Sequence, residues 1–170
     1  LVRDAQERWR FGDATAHRMA ILSMDQYGLM LSDMAPGLMP TESERGLQSV
    51  LRNARVPVWL PSAMTKGAMD LPASWSVTSD SLAAWLATRL SAQRLIPVKA
   101  APVPADLDVD TLVREDYVDA AFATMTQQAR YETVLLHKSE HDVFEAMLDD
   151  PFGAAPKARV MISGTWPPAG

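Results

Sequence analysis

The chain switches repeatedly between a helical and an extended hydrophobic pattern. From Gly12 to Met34, Ala16, Ala20, Met24 and Tyr27 recur at three- to four-residue spacing, which predicts a helix with Asp13 capping its start. "MAPGLMP" then reads as a loop. A second helix is predicted over 41–54, where Thr41 and Glu44 have the spacing of a capping box. Four short runs rich in β-branched and aromatic residues predict buried strands: "RVPVWLPSA", "RLIPVKA", "ETVLLHK" and "KARVMIS". Helices are expected between them. "SLAAWLATRLSA" follows the caps Thr78 or Ser79, "DYVDAAFATMTQQA" follows Asp116, and "SEHDVFEAMLDD" opens on Ser139. The Pro-rich stretch "APVPADLDVD" is too short to divide the chain, so residues 1–170 are expected to form one domain.

Strands alternating with helices predict an α/β fold, a parallel-rich sheet between helices. Right-handed crossovers place the loops that follow the strands along one sheet edge, where ligands of open α/β sheets bind. The residues at those positions share a character. "VPVWL" is followed by Ser62, Thr65, Lys66 and Gly67, and "RLIPV" by Lys99. "ETVLL" is followed by His137, Lys138 and Ser139, and "RVMI" by Ser163, Gly164 and Thr165. Three of the four strands thus run into a lysine, in a chain of net charge −5. Lysine is a point-charge partner for phosphate, and helix starts at Ser79 and Ser139 would add backbone N–H groups. Together these features predict a phosphorylated or nucleotide-like ligand. Singly, each has an ordinary structural use. Lysines solvate strand ends, Ser and Thr cap helices, Asp80 complements a helix dipole, and His17 packs on a helix rich in Met and Ala.

Composition narrows the classes. At 48% hydrophobic and 22% charged residues the chain is ordinarily globular. Its acidity argues against nucleic acid as a partner. The absence of cysteine removes disulfides, thiolate metal sites and cysteine nucleophiles, and leaves the cytoplasm as the expected compartment. No apolar run approaches the roughly 20 residues that span a bilayer, since the richest, "SLAAWLATRL", is broken by Arg89; no membrane partner is expected. No His, Asp or Glu spacing marks a metal site. Neither a nucleophile elbow nor a dinucleotide glycine fingerprint is present.

"WSVTSDSLAAWLA" followed by "LSAQRLIPVKA" resembles the amino-acid kinase superfamily of aspartate, glutamate and uridylate kinases. "AHRMAILSMDQYG" resembles its methanofuran-biosynthesis branch, while "DYVDAAF" and the terminal "RVMISGT" resemble the segment after the nucleotide loop and the closing strand. The resemblance implies a three-layer sandwich and a kinase that uses ATP and Mg²⁺ on a small-molecule acceptor, usually as a homo-oligomer. It places Asp80, with Thr78 and Ser79, near the acceptor, together with Arg3 and His17. It places Lys99, Asp119 and Phe122 around the nucleotide, with Gly164 and Thr165 after the closing strand; the strand-edge pattern adds Lys138 to the same nucleotide site. Asp80 and Lys99 are the expected catalytic pair. The family's opening lysine–glycine loop and its later Gly-Gly-Gly loop are absent from this sequence, which begins at Leu1, so an N-terminal part is expected to precede it. The alternative is a non-catalytic relative that binds a nucleotide or phosphorylated metabolite, or an assembly subunit. For self-association the expected surface is the helix from Asp13 to Asp33, whose apolar residues exceed one core-facing stripe.

Overall fold

A computed structural model describes residues 1–150 apart from 103, 105, 106 and 128. The expected strand over 157–163 lies outside the described residues, as do Gly164 and Thr165. The chain divides into two units, Leu1–Trp75 and Ser76 onward.

The first unit contains α1 (Val2–Trp9), α2 (Asp13–Met34), β1 (Leu38–Thr41), α3 (Glu44–Arg52), β2 (Val56–Trp59) and α4 (Ser62–Thr65). β1 and β2 pair in parallel, from Leu38 with Val56 to Thr41 with Trp59. The strand β1 corrects the loop expected at "MAPGLMP". Gly37 has positive φ and Pro40 cannot donate, so both punctuate the sequence as a loop, yet the parallel partner accommodates them. Thr41 consequently ends a strand, and the capping box does not form. Ser43 caps α3 instead, its Oγ accepting from Gly46 N–H at 3.1 Å. Asp13 likewise stands in the first turn of α2 and not at its cap, which is Gly12.

α2 buries Ala16, His17, Ile21 and Gly28. At Gly28 the helix approaches β2 so closely that a Cβ would lie 2.6 Å from Leu60 Cδ2. On α3 a Cβ at Gly46 would overlap Thr41 Oγ1, which is held in a buried side chain. Gly46→Ala is therefore expected to lower stability by about 1–3 kcal/mol, because overpacking outweighs the roughly 1 kcal/mol that alanine gains in helix propensity. A denaturant midpoint equal to or above that of the parent would contradict this.

The second unit contains α5 (Ser79–Arg89), β3 (Arg94–Leu95), β4 (Val98–Lys99), α6 (Val109–Arg114), α7 (Phe122–Thr126), β5 (Glu132–Thr133), β6 (Leu136–His137) and α8 (His141–Asp149). The expected strands "RLIPVKA" and "ETVLLHK" each appear as two short pieces, β3 with β4 and β5 with β6, paired in parallel. They share one register, since partner numbers differ by 38 at Arg94–Glu132 and again at Lys99–His137. The N–H groups of Glu132, Val134, Leu136 and Lys138 donate in turn to the carbonyls of Gln93, Leu95, Pro97 and Lys99. Pro97 supplies its carbonyl but no return N–H, which accounts for the break.

Side chains alternate across this ladder. Leu135 joins a cluster of Ala84, Leu112, Val118 and Phe122, with Leu95 against it. Val134 and Leu136 pack instead with Met147, Ile96 and Val143. Tyr131 donates to the Ala84 carbonyl at 3.0 Å, and burial pushes its phenol above the usual tyrosine range. Two expected helix starts are corrected. Asp116 has positive φ just after α6, which is capped by Asp108, and the following helix is only the five residues of α7. α8 begins beyond Glu140 and not at Ser139.

Candidate functional site

Parallel strands β4 and β6 end side by side at Lys99 and His137, which are register partners. Alternation puts Lys99 on the same face of the ladder as Leu95, the face packed against α5. Its ammonium reaches the first turn of that helix and donates to both carboxylate oxygens of Asp80, each at 2.8 Å. The two side chains are only 19% and 15% exposed. A partly desolvated bidentate pair of this kind has stronger electrostatics than a surface pair, and it fixes a carboxylate and an ammonium at the carboxyl ends of the strands. The two residues expected to form the catalytic pair are therefore in direct contact.

The start of α5 is held from a distance. Thr78 occupies the cap position but makes no side-chain cap bond. Asp119, 41 residues further on, supplies the carboxylate: one oxygen accepts from Thr78 N–H at 2.8 Å, Thr78 Oγ1 at 2.9 Å and Ser81 N–H at 3.0 Å. Its other oxygen accepts from the Ser81 hydroxyl, which is fully buried. A negative charge at a helix N-terminus satisfies open N–H groups and complements the dipole. Asp119 thus takes up N–H donors that the sequence alone offers to a bound anion. Nothing local reveals this, because the cap and its helix are far apart along the chain.

On the other side of Lys99, His137 is held by contacts from both its backbone and its ring. Its backbone N–H donates to Glu140 Oε2 at 2.6 Å, and its ring nitrogens lie 2.7 Å from Ser139 Oγ and 2.9 Å from the Ala100 carbonyl. Lys138 is exposed, and its N–H donates to the Lys99 carbonyl. Ser79 is exposed on the first turn of α5. Phe122 is fully buried in the cluster with Ala84 and Leu135. Arg3 and His17 belong to the first unit. Arg3 stacks its guanidinium 4.2 Å from the centre of the Trp75 ring, and His17 is buried on α2. Among the described residues no group of three or more His, Cys, Asp or Glu could hold a metal ion, and no helix is long and apolar enough to cross a membrane.

No family model matches the chain, and no curated protein matches it. Among solved structures it is similar to UMP kinase from Ureaplasma parvum, with a TM-score of 0.60 at 11% identity, over 91% of this chain and 74% of that one. At such identity the likeness establishes a shared mixed α/β fold and nothing finer.

Proposed function

We propose that the chain is a phosphotransferase domain that binds ATP at the carboxyl ends of β4 and β6 and directs its terminal phosphoryl group to a small acceptor. The observation that carries this reading is the Asp80–Lys99 pair, a fixed carboxylate and ammonium where α5 meets the strand ends. Phosphoryl transfer asks for positioning and charge neutralisation more than covalent chemistry. Lys99 is suited to a phosphate oxygen. Mg²⁺ is commonly held by one or two carboxylates together with substrate phosphates, so Asp80 fits it without a cage of protein ligands. Lys138, exposed beside this pair, adds charge, and Thr78 and Ser79 border the same helix start. Arg3, His17 and the methanofuran-type acceptor belong to the finer form of this proposal, resting on sequence resemblance. Calorimetric titration with ATP and Mg²⁺ tests it: saturable one-site binding is expected, and no heat at millimolar nucleotide would refute it.

A second reading, binding without turnover, is favoured by one observation. The sequence from Ser76 to Asp150 contains no glycine, so no glycine there lets backbone N–H groups close around a transferring phosphate. Nucleotide binding without consumption of ATP in the presence of small hydroxyl, carboxylate and phosphate acceptors would select this reading.

Self-association is part of the proposal, with a second copy as the occupant of α2. This helix buries one face on β1 and β2 and leaves Met19, Leu22, Leu29, Met30 and Met34 exposed, the last at 71%. Flexible Met side chains adapt to a partner surface, and an apolar stretch of this extent is unusual on a free monomer. Light scattering at micromolar concentration is expected to give a dimer or larger species that Leu22→Lys with Met30→Lys reduces to monomer. A monomeric parent protein would contradict it.

A further inference from the structure

We propose that Ser139 is an activated nucleophile, with His137 as its general base, and that it accepts a phosphoryl group from a phosphoanhydride or acyl phosphate. The argument starts from the tautomer. His137 Nε2 lies 2.9 Å from the Ala100 carbonyl, an acceptor only, so Nε2 carries the ring proton. Nδ1 is then the bare nitrogen, and it lies 2.7 Å from Ser139 Oγ. The serine hydroxyl therefore donates to Nδ1. A hydroxyl, a base and a group that orients the base are the three parts of an activated nucleophile. Here the orienting group is a main-chain carbonyl, and the Glu140 carboxylate fixes the turn by accepting the His137 backbone N–H.

Position and charge select the electrophile. Ser139 is exposed two residues beyond the end of β6, at the strand edge where Lys99 is the register partner of His137. Exposed Lys138 lies between His137 and Ser139 in sequence. Lys99 on the neighbouring strand and exposed Lys138 within the turn bring positive charge to this edge, which favours an anionic phosphoryl donor. In the step, the Ser139 Oγ–P bond forms while the P–O bond to the leaving group breaks. The departing phosphate or carboxylate keeps that electron pair, and the serine proton passes to His137 Nδ1. The imidazolium so formed still donates from Nε2 to Ala100.

The test uses the whole protein and a fluorophosphonate probe, which carries its own leaving group and so reads the nucleophile independently of ATP binding. Mass spectrometry is expected to find a single adduct on Ser139, absent from Ser139→Ala. His137→Gln is expected to slow labelling by about a hundredfold or more at unchanged melting temperature, the lower range for loss of a general base. Absence of an adduct on Ser139, or an equal labelling rate in His137→Gln, overturns the proposal.

Discussion

Asp119→Ala is expected to lower the stability of the protein by about 3 kcal/mol, the sum of a lost helix cap at about 1 kcal/mol and buried donors left without an acceptor at about 1–3 kcal/mol. The substitution removes the acceptor of two N–H groups and two hydroxyls at the start of α5, and Ser81 is wholly buried there. For a chain of this length the loss corresponds to a melting temperature lower by about 6–12 °C. Asp119→Asn keeps one acceptor oxygen, and the Ser81 hydroxyl can turn to accept from the new amide, so it should cost clearly less than alanine. The order separates the cap from a general effect of substitution. A melt of Asp119→Ala within about 0.5 kcal/mol of the parent would show that α5 does not depend on it.

The second large effect is expected at Lys99. Losing one charge-assisted contact to phosphate costs about 1.5–3 kcal/mol, so Lys99→Met should weaken ATP binding roughly ten- to hundredfold with or without Mg²⁺. Arg52→Gln, at the end of α3 in the first unit, serves as the control and should leave affinity unchanged. Asp80→Asn should behave differently. Removing a carboxylate 2.8 Å from the ammonium frees Lys99 for phosphate and removes repulsion of the ligand, but it also removes the group suited to Mg²⁺. Metal-free nucleotide should then bind at least as well as in the parent, while the gain from Mg²⁺ is lost. Both single variants also break a largely buried pair, so each melt should fall, and the double variant should fall by less than the sum. Equal weakening in Lys99→Met and Arg52→Gln, measured calorimetrically on folded proteins, would remove Lys99 from the site.

Legibility in the sequence follows the range of the interactions involved. α2 and α5 are readable because their apolar residues recur over about six and about three turns, and "VPVWL" because β-branched and aromatic residues are concentrated in it. β1 is not, because Gly37 and Pro40 give "MAPGLMP" the chemistry of a loop and only pairing with β2 makes it a strand. Caps suffered for the same reason. Thr41 and Glu44 have the spacing of a capping box, but the Thr41 carbonyl is already taken by Leu60 N–H, and Ser43 becomes the cap. In the candidate site, the sequence points to Lys99 and Asp80 separately, yet their direct contact needs the parity of β4 against α5 to be known. The cap supplied by Asp119 and the bond from His137 to Ala100 span 41 and 37 residues, beyond any local pattern.

Hydrogen–deuterium exchange with and without ATP and Mg²⁺ tests the central claim most directly, because it maps the nucleotide without altering any residue. Peptides covering 78–81, 98–100 and 137–140 are expected to gain protection on binding, while those of α3, over 44–52, are not. Binding that protects only peptides of the first unit, or leaves the three strand-edge segments unchanged, would contradict a phosphate site at the ends of β4 and β6.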